Sequence, residues 1–77
     1  MTFKQCWVVQ SIRRGLFLKP GREPGDVDTT ELIAQAGWFD SERAALDTAV
    51  DHLDPHDFLL FSFWVPSNDI RLERMYE

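Results

Sequence analysis

The stretch from Phe58 to Val65 constrains the fold more than any other part of this sequence. It is an uncharged apolar run, rich in aromatic side chains and bounded by Pro55 and Pro66. The run is far shorter than the roughly 20 residues that a membrane-spanning helix needs, so it predicts a β-strand. Left unpaired, such a strand is an aggregation hazard, and we therefore expect it at the centre of a sheet.

A helix is predicted between residue 41 and Pro55. Asp40 or Ser41 is suited to cap its first turn, and Glu42 favours the positive end of the helix dipole. Pro55 ends the helix. The apolar residues in between recur at helical spacing and form one stripe: Ala45, Leu46, Ala49, Val50 and Leu53.

Three further strands are predicted. Residues 3–12 and 15–19 are rich in β-branched and aromatic residues around Gly15, which is typical of a hairpin. Residues 70–76 alternate well enough for a final strand, although a C-terminal helix is the alternative. Residues 20–25 hold two prolines and two glycines and predict a loop.

A short helical turn at residues 29–36, ended by Gly37, completes the predicted elements. The fold class is then α+β: a single small domain over residues 1–77, with two layers. Its four-stranded antiparallel sheet carries one main helix on one face, plus the short helical turn.

Both faces of this sheet are more apolar than a two-layer domain requires, because the open face of an antiparallel sheet is usually polar. In the strand 58–65 the side chains alternate between the two faces. One face receives Phe58, Leu60 and Trp64, and the other receives Leu59, Phe61, Phe63 and Val65. Three ways to cover the second face remain open: a second copy, a different protein, or the chain's own Leu32, Ile33, Trp38 and Phe39.

Charge is distributed unevenly along the 77 residues. Residues 1–22 carry a formal charge of +5, residues 23–57 carry −9 and residues 58–77 carry −1, which gives −5 in all. We expect a dipolar surface with a basic edge and an acidic face, whose halves also attract each other. The lone Cys6 and the lack of a signal peptide predict a cytoplasmic protein, located in the host cytoplasm if the chain is phage-encoded.

The sequence predicts no enzyme, with no catalytic residue, no metal and no cofactor. His52 and His56 lie among aspartates, but Pro55 separates them at a helix end, where histidine also suits the dipole. Cys6 alternates with Trp7 in a strand, the ordinary setting of a small buried side chain. The four glycines form no phosphate-binding pattern ahead of a helix.

Two stretches resemble short proteins of phages and mobile elements. The first is Trp7-Val8-Val9-Gln10-Ser11 leading to Gly15-Leu16-Phe17-Leu18, and the second is Gly37-Trp38-Phe39-Asp40-Ser41-Glu42-Arg43-Ala44-Ala45. Such proteins include anti-CRISPR inhibitors, which are small, commonly acidic and non-enzymatic. The resemblance implies a protein that blocks a host nucleoprotein complex by occupying its basic surface. No motif defines the group, so no functional residue is carried over.

The leading functional hypothesis is a non-enzymatic inhibitor that binds a host protein or nucleoprotein complex with a basic surface. Acidic residues would steer the encounter, and exposed aromatics, Trp38 or Trp64, would anchor it. The acidic residues are Asp26, Asp28, Glu31, Asp47, Asp51 and Asp54.

Two other hypotheses remain open. In one, the chain is a self-associating structural or accessory domain of a phage or bacterium, a homodimer through the second sheet face. In the other, it is a small nucleic-acid-binding regulator that uses the basic N-terminal hairpin, with Trp7 and Phe17 for stacking. Its net charge of −5 makes direct nucleic-acid binding the weaker hypothesis. No membrane partner is expected.

Overall fold

One antiparallel sheet of four strands organises the chain. The structure is a computed structural model and describes residues 2–23 and 25–75. The strands are β1 (Phe3–Ser11), β2 (Phe17–Pro20), β3 (Val27–Thr30) and β4 (Phe58–Pro66), in the order β3-β2-β1-β4 across the sheet. A 3-10 turn at Ile33–Gln35 and the helix α1 (Glu42–His52) accompany them. The α+β class and the four-stranded antiparallel sheet are thereby confirmed.

β1 joins the two halves of the sheet. It pairs with β4 along its full length, with residues 3–11 opposite residues 66–58. On its other side it meets β2 only near the turn, where Gln10 lies opposite Phe17. The turn contains Gly15 at a φ of 68°, a conformation that side chains disfavour. The predicted hairpin is thus present, with its second strand beginning at Phe17.

α1 begins and ends where its local signals predict. The Ser41 hydroxyl accepts a hydrogen bond from the Ala44 N–H at 3.1 Å, which satisfies one of the free donors of the first turn. Ala45 and Ala49 of the apolar stripe are fully buried, because α1 packs against β1 and β4. Leu46 and Val50 of the same stripe are exposed.

Buried side chains form two clusters, one on each face of the sheet. The cluster under α1 comprises Val9, Leu18, Phe39, Ala45, Ala49 and Met75. The cluster on the opposite face comprises Cys6, Val8, Phe17, Ala36 and Trp38, with Phe63, Val65, Ile70 and Leu72 packed against it. The chain therefore covers part of its second face itself. Leu32 and Ile33, expected to help, are instead about half exposed.

The segment after the 3-10 turn links the two clusters. Phe39 and Trp7 exchange two backbone hydrogen bonds, at 2.8 and 3.2 Å. The Trp38 N–H donates to the Glu73 carbonyl, and the Met75 N–H donates to the Trp38 carbonyl. This segment thus pairs with β1 on one side and with the C-terminal residues on the other.

Two expectations about strands are wrong. β4 lies at the edge of the sheet, because β2 and β3 both lie on the other side of β1. Residues 70–75 form neither a strand of the sheet nor a helix, and only Arg74 makes a bridge, to Trp38; residue 76 lies outside the described part. The fourth strand is instead β3. β3 includes residues 29 and 30, the start of the stretch 29–36 for which a helical turn is predicted. The observed 3-10 turn is shorter than predicted and spans only Ile33–Gln35.

Candidate functional site

The six acidic residues assigned to partner binding fall into two separate groups. Asp47, Asp51 and Asp54 lie exposed on α1 or just after its end. Asp26, Asp28 and Glu31 lie around β3, which forms the edge of the sheet opposite β4. Asp28 pairs in register with Lys19, on the sheet face away from α1. The structure thus brings the first three carboxylates together and leaves the other three apart.

Two grooves run beside the carboxylates of α1. The first has a volume of about 430 Å³ and is lined by Ser41, Arg43, Ala44, Asp47, Thr48 and Asp51. The second, at the C-terminal end of α1, has a volume of about 390 Å³ and is lined by Arg13, Arg14, Asp51, His52, Leu53, Asp54 and Asp57. Asp51 lines both grooves, so the helix carboxylates border one extended polar surface.

The carboxylates of α1 are only loosely paired. Arg43 Nε lies 3.2 Å from Asp47 Oδ1, and an Arg13 guanidinium nitrogen lies 3.8 Å from Asp54 Oδ2. All four side chains are largely exposed, and exposed pairs of this kind contribute about 0–1 kcal/mol. Asp51 has no ion pair within the part of the chain that the structure describes. These carboxylates can therefore exchange their present partners at little cost.

Trp38 is a structural residue in this fold, because only 7% of its surface is exposed. The Lys4 ammonium and the Arg74 guanidinium lie 5.0 and 5.5 Å from the centroid of its ring. Both cations also pair with the carboxylate of Asp40, Lys4 at 2.6 Å. The expectation that Trp38 is exposed is therefore wrong. Its neighbours come from both ends of the chain, which no local sequence signal reveals.

Trp64 is 65% exposed, as an anchor requires. It lies on β4 opposite Gln5, on the sheet face that carries α1. Other large apolar side chains are exposed as well, Leu59 and Phe61 on the opposite face of β4 and Leu46 and Val50 on one flank of α1. We call this set the β4 surface: Leu46, Val50, Leu59, Phe61 and Trp64. The exposure of Trp64 agrees with the sequence-based expectation, whereas the exposure of the other four was not expected, because the sequence predicted β4 as a central strand.

Asp57 stabilises the fold in a way that the sequence did not indicate. Its carboxylate accepts a hydrogen bond from the Arg13 N–H at 2.8 Å and another from the Ser11 hydroxyl at 3.0 Å. The bond from the Arg13 backbone is the main cause that lowers the pKa of the Asp57 carboxyl, against the opposing effect of burial. Asp57 thereby fastens the hairpin turn to the start of β4.

The histidines and the cysteine occupy ordinary positions. His52 and His56 are exposed, and the described residues contain no group of three or more His, Cys, Asp or Glu that could hold a metal ion. Cys6 is fully buried, and burial raises the pKa of its thiol, an effect that Lys4 partly opposes. A thiol held neutral in this way is a poor nucleophile.

The basic hairpin does not present its aromatic residues for stacking. Phe17 is buried in the cluster on the face away from α1, and Trp7 is half-buried against the other cluster. Arg13 and Arg14 are exposed at the turn, where Arg13 already faces Asp54. The described hairpin therefore offers charge without the stacking platform that the nucleic-acid hypothesis requires.

Comparisons with protein-family models, with curated proteins and with solved structures found no match to this chain. The resemblance to phage and mobile-element proteins thus rests on the two stretches quoted above. No helix among the described residues is long and apolar enough to cross a membrane.

Proposed function

We propose that this chain is a non-enzymatic binding protein that engages a partner with a basic surface through the outward side of α1. The observation that carries the proposal is the exposed row of Asp47, Asp51 and Asp54, which borders two grooves. The groove along α1 can receive a lysine or arginine side chain, because its two carboxylates, Asp47 and Asp51, outnumber its one cation, Arg43. The groove at the end of α1 contains Arg13 and Arg14 as well as carboxylates, so its acidic contribution comes from Asp51 and Asp54 at its rim.

The weakness of the present ion pairs favours such exchange. A basic partner would displace Arg43 from Asp47, or Arg13 from Asp54, and replace an exposed pair by one that the interface shields from water. Long-range attraction between the acidic row and a basic surface would also speed the encounter. Electrostatics of this kind selects the partner and sets the association rate more than it sets the final affinity.

The partner class that we propose is a host protein or nucleoprotein complex whose basic surface normally contacts nucleic acid. Binding there would inhibit the complex by occupying that surface, as the resemblance to anti-CRISPR proteins implies. Covering the basic surface is sufficient for inhibition, so no catalytic residue is needed.

The test is an affinity capture from a lysate of the source host, treated with nuclease and analysed by mass spectrometry. The double variant Asp47→Lys/Asp51→Lys reverses two charges on α1. The control Glu23→Lys reverses an exposed charge in the loop that joins β2 to β3, away from α1. We expect one host complex to be retained by the natural chain and by the control, and to be lost by the double variant. Equal retention by all three chains would contradict the proposal.

A further inference from the structure

β4 is a long strand with one open edge. It spans nine residues, and β1 pairs with one of its sides; no other strand of the described chain pairs with the second side. The backbone hydrogen bonds of β1 identify the groups at this edge. Both backbone groups of Trp7 bond to Phe39, away from β4, so the pair Trp7–Ser62 is of the non-hydrogen-bonded kind. Ser62 therefore directs its own N–H and carbonyl outward, as do Leu60 and Trp64.

Natural proteins protect such edges with charges, inward-pointing lysines, bulges or prolines. β4 carries no charged residue anywhere between Phe58 and Pro66, and its one proline is its last residue. Its register with β1 is continuous over all nine residues, without a bulge. The edge is thus an unprotected template for another strand.

Apolar side chains flank this edge on both faces of the sheet. Leu59 and Phe61 lie on the face away from α1, whereas Trp64 lies on the helix side. Leu46 and Val50 share one flank of α1 with Leu53, which packs into the cluster beneath the helix. These five side chains of the β4 surface are 37% to 65% exposed. If a whole side chain has an area of roughly 200 Å², these five together expose on the order of 450 Å². For comparison, each partner in a standard interface buries roughly 800 Å².

We propose that β4 pairs edge to edge, in antiparallel orientation, with β4 of a second copy of this chain. Ser62 is the middle residue of the strand, and a two-fold axis through it would place each Ser62 opposite the other. Phe61 then lies opposite Phe63 of the second copy, Leu60 opposite Trp64, and Leu59 opposite Val65. Apart from the central pair of Ser62 hydroxyls, every cross-strand pair is apolar, and no charge meets its like, so the strand is complementary to itself.

The pairing has a consequence for the whole assembly. An axis normal to the sheet forms one continuous sheet from the two four-stranded halves and keeps both α1 helices on the same face. The exposed flanks with Leu46 and Val50 then face each other above the contact between the two β4 strands. The two rows of helix carboxylates lie on the same side of the continuous sheet. The inference is independent of the proposed function, because it uses β4 and needs no host partner.

The oligomeric state of the full chain tests the proposal by sedimentation equilibrium over a range of concentrations. We expect the mass to approach twice the chain mass of 9.0 kDa. Trp64→Glu and Ser62→Pro should each raise the dimer dissociation constant more than about tenfold. Proline at position 62 removes only an outward N–H, which an edge strand tolerates. Far-UV circular dichroism would verify that both variants fold.

Two matched variants serve as controls. Ser62→Ala keeps the outward N–H, and Leu32→Glu places a charge on a side chain that is 57% exposed but lies far from β4 in the sheet order. Both should leave the dimer intact. A mass of one chain at every concentration would overturn the proposal, and so would a dimer that is lost with Leu32→Glu but survives Ser62→Pro and Trp64→Glu. Neither result depends on capture of a host partner.

Discussion

Asp57 holds together two parts of the chain that are more than forty residues apart. Its carboxylate binds the Arg13 N–H and the Ser11 hydroxyl, and the same turn donates the Ile12 N–H to the Asp57 carbonyl. An aspartate in this setting is stabilised in its charged form. The sequence offers no sign of it, because nothing near residue 57 identifies residue 11 as its partner.

Stability should therefore depend on pH through Asp57. Because its pKa is lowered in the folded chain, its charged form stabilises the fold above the ordinary aspartate pKa, and this contribution is lost as pH falls below roughly 4. We expect Asp57→Asn to lower the free energy of unfolding at pH 7, and the gap to the natural chain to narrow at pH 3. Urea titrations at both pH values measure this. The role of Asp57 would be contradicted if Asp57→Asn lowered the free energy of unfolding equally at both pH values. It would also be contradicted if the exposed control Asp54→Asn lowered that free energy by as much as Asp57→Asn does.

Truncation of the two tryptophans of the candidate site should change the free energy of unfolding by very different amounts. Trp38 is buried between Lys4 and Arg74, so Trp38→Ala should cost about 3–5 kcal/mol, which threatens a domain of this size. Trp64 is mostly exposed in a single chain, and Trp64→Ala should change stability by less than about 0.5 kcal/mol at concentrations where the chain is a monomer. Urea denaturation of dilute protein measures both. Similar losses from the two variants would show that the assigned burial is wrong.

At the scale of elements, α1 was predictable because its signals are local. The cap, the apolar spacing and the terminating proline lie within fifteen residues of each other, and the helix observed at Glu42–His52 agrees with them. β1, β2 and β4 were also predictable as strands. The position of β4 was not, because its apolar character indicates burial, whereas its place in the sheet depends on β2 and β3 packing on the far side of β1.

The cap of α1 offers a direct test of this local logic. Ser41→Ala removes the acceptor for the Ala44 N–H and should cost about 1 kcal/mol of stability. Ser41→Asp keeps an acceptor at the same position and should restore most of that loss. Thermal and urea unfolding of the three chains provide the measurement. A harmless alanine substitution would mean that Ser41 does not fix the start of the helix.

At the scale of the whole molecule, the uneven charge of the sequence is only partly neutralised by folding. Lys4 pairs with Asp40 and Arg13 with Asp54, which joins the basic first segment to the acidic second one. The remaining acids do not collect on one face, since Asp28 and the carboxylates of α1 lie on opposite sides of the sheet. The sequence could not predict this division, because it depends on where β3 pairs.

The two proposed contacts should differ in their response to salt. Two copies that each carry a charge of −5 repel one another, and salt screens that repulsion while the apolar contact of β4 persists. Attraction between the helix carboxylates and a basic partner is weakened by the same screening. Between about 50 and 500 mM salt, self-association should be unchanged or stronger, and partner binding several-fold weaker. Parallel trends for both would contradict the division of roles between β4 and α1.

The exchange of individual backbone amides along β4 tests the open edge most directly. Hydrogen exchange measured by NMR on dilute and on concentrated protein separates the two sides of the strand. The amides of Leu60, Ser62 and Trp64 should exchange rapidly in dilute protein and become protected as the concentration rises. Those of Phe61 and Phe63 should be protected throughout, because they face β1. Uniform protection of all five at low concentration, or no gain on concentration, would contradict β4 as an edge that a second copy completes.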